Sequence, residues 1–283
     1  MPSFTSKNET RTYSDVAQSV LIAKGVLSDL QIIVGESSVL HKIFQDSIKV
    51  AALWEGGKEN LDFRMALNLL YADIICSAII NLKDDPGVRT PLIHMAKSDM
   101  ARGSRALSRG KDALWELALA DSMRKAAIKA RLIDPPDIIA DMSFGPYSIA
   151  CKKVYSDKNV DTQLKKGVRQ VLESVGKGIV AFNLDDLTPG DTILSQADAE
   201  TSLRRLSRFN DEFIERHRWV FQGAVSAKKI DGILVSTTVP ADIHTDARRL
   251  NNVTQYTFWT LTGETQGSQR IKEFVQILAG NRR

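Results

Sequence analysis

The chain has 283 residues, of which 43% are hydrophobic and 25% are charged, so it can bury a sizeable core in one or two domains. Its formal charge of +4 fits a nucleic-acid partner only weakly, because many proteins of this charge bind no polyanion. The two cysteines, Cys76 and Cys151, lie far apart in apolar runs, which predicts buried, reduced thiols in a cytoplasmic protein.

The first part of the chain is predicted to be a helical domain, residues 1–105, with an interaction or regulatory role. Apolar residues recur at helical spacing over residues 14–30, 38–54 and 60–82. Polar residues interrupt the longest apolar run, 65–82, which therefore indicates a buried helix and no membrane span. Residues 97–111 are polar and basic, and they suit either a linker or a loop lying along a nucleic-acid backbone.

The remainder, residues 106–283, is predicted to be an α/β domain with a mixed central sheet flanked by helices. The predicted helices cover residues 112–131, 160–175, 199–228 and 268–278. The predicted strands cover residues 137–142, 147–154, 178–184, 231–238 and 255–261.

The first two of these strands form a predicted hairpin around Gly145-Pro146, and it carries the most informative residues of the chain. Alternation along a strand puts Ala150 and Lys152 on one face. Antiparallel pairing across the turn brings Asp137 to that end of the hairpin. Asp141 lies nearer the turn and is the less suitable ligand.

The sequence Pro136-Asp137 followed by Ala150-Cys151-Lys152 resembles the Pro-Asp…(Asp/Glu)-x-Lys signature of restriction-endonuclease-like, or PD-(D/E)XK, nucleases. The resemblance covers residues 111–261 and departs at Ala150, where the second carboxylate is expected. It implies a Mg²⁺ (or Mn²⁺) site formed by Asp137, the carboxylate expected at position 150, the Cys151 carbonyl and Glu116. It also implies that Lys152 positions the attacking water.

Two helices extend the resemblance. Glu116 lies within an apolar helical run, where a carboxylate needs a cation or hydrogen-bond donors, and the family often has a glutamate there. Glu116 at a solvent-exposed edge of the helix is the alternative. Gln163, Lys166 and Gln170 share one face of the helix after the hairpin, where the family often has a residue that contacts phosphate or metal-bound water. Gln170 is a catalytic candidate, although an ordinary amphipathic helix has the same pattern.

Together these features predict a magnesium-dependent nuclease that cleaves DNA rather than RNA and has lost its motif glutamate by substitution to Ala150. The residues predicted to neutralise phosphates are Lys153, Lys165, Lys166 and Arg169. Because the chain has no DNA-reading motif, a protein partner or a second copy is expected. By analogy the chain fits an effector subunit of a bacterial or phage-related antiviral defence system.

Other readings stay open at this point. If Ala150 is native, the chain is a catalytically inactive nucleic-acid-binding or scaffold subunit, or the N-terminal helices make it mainly an interaction subunit. Zinc is not expected, because the histidines have no metal-ligand spacing. Those histidines are His41, His94, His217 and His244.

Overall fold

The structure is a computed structural model that describes residues 3–6, 12–57, 62–102, 104–189, 193–196, 199–243, 250–263 and 265–280. The helices are α1 (Tyr13–Asp29), α2 (Val39–Glu55), α3 (Phe63–Leu82), α4 (Arg89–Lys97), α5 (Arg109–Lys125), α6 (Val160–Glu173), α7 (Ala199–Ser226) and α8 (Gln266–Leu278). The strands are β1 (Ser3–Ser6), β2 (Lys129–Ile133), β3 (Asp137–Met142), β4 (Gly145–Lys153), β5 (Gly178–Asn183), β6 (Leu194–Gln196), β7 (Gly232–Ile243) and β8 (Leu250–Trp259). The predicted α/β class is therefore confirmed. Asn60 and His244, which the sequence predictions include, lie outside the described residues.

One mixed sheet organises the fold, with strand order β1-β8-β7-β5-β4-β3-β2 and β6 paired to β7. The strands β4, β5 and β7 run parallel, and β2, β3 and β4 form an antiparallel meander. Side chains alternate along these strands, so one face packs against α5 and α8 and the other against α6 and α7. A parallel sheet covered on both faces explains why β5 is fully buried and is apolar up to Phe182.

The N-terminal helices share the apolar core of the first sheet face, so packing continues across the predicted boundary near residue 105. Asp121 of α5 accepts hydrogen bonds from Ser77 at 2.8 Å and from Asn81 at 2.7 Å, both on α3. The amide of Asn252 on β8 donates to the Leu70 carbonyl of α3 at 2.6 Å. Helix α3 is long and apolar enough to span a membrane, but 67% of its apolar window is buried within the protein. It is a core helix, as predicted.

Two element predictions are wrong. The helix expected over 112–131 ends at Lys125, where Ala127 takes a left-handed φ of 60° and the Ile128 amide bonds back to the Met123 carbonyl at 2.9 Å. The following residues form β2, which buries Ala130 and Leu132 and pairs with β3. Helix α4 lies where no helix was expected. Pairing with β3, the next strand along the chain, overrides the local helical preference of residues 126–131.

The hairpin has the predicted form. Strands β3 and β4 pair with Ile138 opposite Ile149, and the turn uses Gly145 at a φ of 98°, a conformation that favours glycine. Asp141 lies near the turn and pairs with Arg131 at 3.3 Å on the surface. Both cysteines are buried and neither forms a disulfide, as predicted.

Candidate functional site

Asp137 begins β3 with a φ of 122°, a backbone conformation that residues other than glycine rarely adopt. One residue beyond the Ile138–Ile149 pair of the hairpin, the register puts it opposite Ala150. Such outliers persist only where the surroundings hold them, and they cluster at functional sites. The hairpin therefore places the Asp137 carboxylate at the end of β4 that carries Lys152.

Three donors from two elements hold that carboxylate. Its Oδ2 accepts from the Cys151 amide at 2.6 Å and from Lys152 Nζ at 3.1 Å, and its Oδ1 accepts from Gln170 Nε2 of α6 at 3.2 Å. Burial raises the pKa of Asp137 to about 6, and Lys152 and the Cys151 amide oppose the rise. Lys152 and Gln170, both predicted from the sequence, thus donate to the carboxylate of the predicted Asp137.

Lys152 also donates to the Cys151 carbonyl at 2.6 Å, and its side chain is only 11% exposed. The ammonium therefore bridges Asp137 and Cys151, two of the groups predicted to bind metal. A largely buried lysine with two oxygen partners is not a solvated strand end.

Glu116 faces an acidic cavity of about 510 Å³ that Asp112, Asp134 and Asp137 also line. Burial raises the pKa of Glu116 to about 8, and the negative charges of Asp137, Asp112 and Asp134 add to the rise while Lys152 opposes it. Burial also raises the pKa of Asp112, whose carboxylate accepts from the Tyr155 hydroxyl at 2.9 Å. Converging carboxylates of this kind are typical of sites that bind a cation.

Ala150 is fully buried and belongs to the apolar cluster between the sheet and α6 and α7. Helix α6 crosses above it at Gly167, where an added Cβ would lie 2.9 Å from Val180 and 3.5 Å from the Ala150 Cβ. Side chains directly opposite on paired strands share a face and lie about 5 Å apart at Cβ. A carboxylate at position 150 would therefore emerge beside Asp137, under α6.

The donor atoms suit magnesium, but they are not assembled around one point. Asp137, Glu116 and the Cys151 carbonyl supply hard oxygens, and the Oε1 atom of Gln170 is buried without a hydrogen-bond partner among the described residues. Within the same residues, no group of three or more His, Cys, Asp or Glu side chains is arranged to hold a metal ion. The Lys152 ammonium lies between two of these oxygens, Asp137 Oδ2 and the Cys151 carbonyl.

The predicted phosphate-binding residues fall into two groups. Lys165, Lys166 and Arg169 are exposed on α6, although Lys165 pairs with Asp161 at 2.6 Å. The prediction that Lys153 binds phosphate is wrong. It lies on the opposite strand face from Lys152, its side chain is 6% exposed, and it forms an ion pair with Asp186 at 3.3 Å, so it is not available to a nucleic acid.

Sequence reasoning missed two carboxylates of the acidic cavity, Asp112 and Asp134. Asp112 precedes Glu116 by one helical turn, so a search for acidic pairs at this spacing would have found it. Asp134 has no comparable signal, because the turn after β2 positions it.

Comparison with known protein families, curated proteins and solved structures gives no match to this chain.

Proposed function

We propose that the protein is a metal-dependent phosphodiesterase of the restriction-endonuclease-like class that cleaves nucleic acid, DNA rather than RNA, and that its second motif carboxylate is missing at Ala150. The observation that carries the proposal is the convergence of Lys152, Gln170 and the Cys151 amide on the Asp137 carboxylate. The order helix α5, hairpin β3–β4, helix α6 and parallel strand β5 supports it, since the resemblance implies that order.

Asp137, Glu116 and the Cys151 carbonyl would hold Mg²⁺ or Mn²⁺, which supplies activation of water and neutralisation of phosphate charge when bound. Lys152 holds Asp137 in place and carries the positive charge nearest to it, so it can orient a nucleophile or stabilise negative charge on a phosphate. Gln170 fixes the other Asp137 oxygen and offers its own free Oε1 to a water or a phosphate-bound group.

The exposed cations of α6 would bind the phosphate backbone beside this site. Lys166 and Arg169 lie on the same helix as Gln170, within about one turn of it. Binding through such residues weakens steeply with salt, because each neutralised phosphate releases counterions. A cytoplasmic defence role with a protein partner or a second copy remains part of the proposal by analogy only.

A second candidate is a nucleic-acid-binding subunit without catalysis. The packing of Ala150 beneath Gly167 favours it, because an alanine is fully buried there within an apolar cluster. Incubation of supercoiled and linear DNA with the chain carrying Ala150→Glu separates the candidates. Gain of Mg²⁺-dependent cleavage supports the nuclease, whereas salt-sensitive binding with no cleavage in either form supports the binding subunit.

A further inference from the structure

Trp219 on α7 is 85% exposed, more than any other large hydrophobic residue of the described part of the chain. Tryptophan is highly buried on average, so an indole that stands in solvent needs a reason beyond the fold. Packing of α7 does not supply one, because Phe213, Ile214 and Phe221 are fully buried and already hold the helix against the sheet. Trp219 is therefore a candidate for contact with a ligand.

Charged side chains flank Trp219 on the outer side of α7. Arg216 precedes it by about one helical turn and Arg208 by about three turns, so both lie on the same side of the helix. Glu212 and Glu215 lie on that side as well. The charges of this row nearly balance, so the wider surface decides which ligand it suits.

The ion pairs made by the arginines beside Trp219 are weak. Arg216 pairs with Asp157 at 3.4 Å and Arg218 with Glu215 at 3.1 Å, and all four side chains are roughly half exposed. Exposed pairs of this kind contribute little to stability, so a phosphate can replace the carboxylate.

The wider surface formed by α6 and α7 is strongly basic. Residues 157–177 and 199–229, which contain the two helices and their flanking turns, hold 12 lysines and arginines against 7 aspartates and glutamates. Of these, 11 cations are exposed and only 5 carboxylates are. The resulting net charge of +5 exceeds the +4 of the whole chain, so the positive charge of the protein is concentrated on this face. A polyanion complements such a face.

The same face adjoins the Asp137 site. Helix α6 packs on β4 and β5, and α7 packs on β7 and β8, so the strand order puts α6 between the site and α7. Arg216 and His217 contact Asp157 immediately before α6, so the two helices lie side by side. A nucleic acid that leaves the site over Lys166 of α6 therefore meets α7 next.

An exposed indole selects one form of nucleic acid. In a duplex the flat faces of the bases are stacked on one another, whereas in a single strand a base can stack on an aromatic side chain. We propose that the face formed by α6 and α7 binds single-stranded DNA, with one base stacked on Trp219 and the phosphates held by the arginines of α7 and the cations of α6. The inference rests on the proposed nuclease function and narrows its substrate to DNA that is unpaired beside the cleaved bond.

Binding of the intact chain to a labelled single-stranded DNA of about 12 nucleotides, compared with the duplex of the same sequence, tests the proposal. EDTA is present throughout, so the result does not depend on cleavage. Trp219→Ala is expected to weaken single-strand binding about tenfold, as for the loss of one stacked base, and to leave duplex binding within about twofold of the original. Trp219→Phe keeps an aromatic ring and should retain most of the affinity. The matched control Ile33→Ala, at an 84% exposed position outside this face, should change neither.

Tryptophan fluorescence locates the stacked base independently of the affinities. Trp115 and Trp259 are buried, so quenching by the single strand can arise only from Trp219 or from the half-exposed Trp54. The quenching is expected to disappear in Trp219→Phe and to persist in Trp54→Phe.

The proposal is overturned if Trp219→Ala binds the single strand as tightly as the original chain, if the substitution weakens duplex binding equally, or if Trp219→Phe retains the full quenching. Each of these results leaves the nuclease proposal intact, because the cleavage test of Ala150→Glu decides it separately. Absence of binding to both DNAs at low salt would overturn the nucleic-acid function itself, and this proposal with it.

Discussion

Replacing Glu116 by Gln should make the protein more stable, and increasingly so as the pH rises. The pKa of Glu116 is raised from 4.5 to about 8 in the folded protein, so folding takes up a proton at intermediate pH. Stability from this group is fully present below the unfolded-state pKa and is lost as the pH rises towards the folded-state value. Glutamine keeps the shape of the neutral acid and has no proton to lose.

The magnitude follows from the window between the two relevant pKa values. Asp137, with a pKa of about 6, also titrates in the window from pH 6 to pH 7.5, but both proteins contain it, so the difference between them reports mainly on Glu116. One pH unit corresponds to about 1.4 kcal/mol, so the advantage of Glu116→Gln should grow by about 2 kcal/mol across that window.

Urea unfolding at pH 6.0, 6.75 and 7.5, followed by circular dichroism, measures this growth directly. Glu212→Gln, at an exposed position of α7, serves as the matched control and should show no dependence of its stability difference on pH. If the Glu116→Gln difference stays constant over the three pH values, Glu116 is not held neutral in an acidic cavity, and the description of that cavity is wrong.

Three further changes test other parts of the account. Gly167→Ala should lower the free energy of unfolding in urea by about 1–2 kcal/mol, because the added methyl would lie 2.9 Å from the Val180 carbons beneath α6. The control Gly223→Ala adds a methyl in open space and should stabilise α7. Equal effects of the two substitutions would show that α6 does not approach the sheet closely. Lys152→Met should lower the free energy of unfolding by about 3 kcal/mol at pH 7.5, because it leaves the Asp137 carboxylate buried without its cation. The loss of stability should shrink at low pH, where Asp137 is protonated. A loss that does not depend on pH would contradict the pairing. Lys166→Ala should weaken DNA binding and reduce the slope of log K against log salt by up to about 0.9, as expected for one lost phosphate contact. An unchanged slope would show that α6 is not part of the binding surface.

The hairpin and its faces could be predicted because their causes are local. Alternating residues and the Gly145-Pro146 turn fix which side chains share a face, and the register then brings Asp137 opposite Ala150. The partial burial of Glu116 also agrees with the sequence, since a single carboxylate within an apolar helical run has few exposed positions available. These features required no knowledge of the rest of the chain.

Other features depend on pairing with a neighbouring strand or with a residue that is distant in sequence. Residues 129–133 have ordinary helical composition and become β2 only because the adjacent strand β3 is available for pairing. Lys153 reads as a surface cation beside Lys152, but Asp186 after β5 draws it into the interior.

The most direct test of the central claim is Mg²⁺-dependent cleavage of DNA by the Ala150→Glu chain, followed over time with EDTA as the metal-free reference. Ala150→Gln is the matched control, because it adds the same bulk beneath α6 without the carboxylate, and both must be shown to fold by circular dichroism. The account predicts cleavage by Ala150→Glu that needs Mg²⁺ or Mn²⁺, that Ala150→Gln lacks, and that Asp137→Asn abolishes in the Ala150→Glu chain. A folded Ala150→Glu chain that cleaves neither DNA nor RNA with either metal would contradict the account.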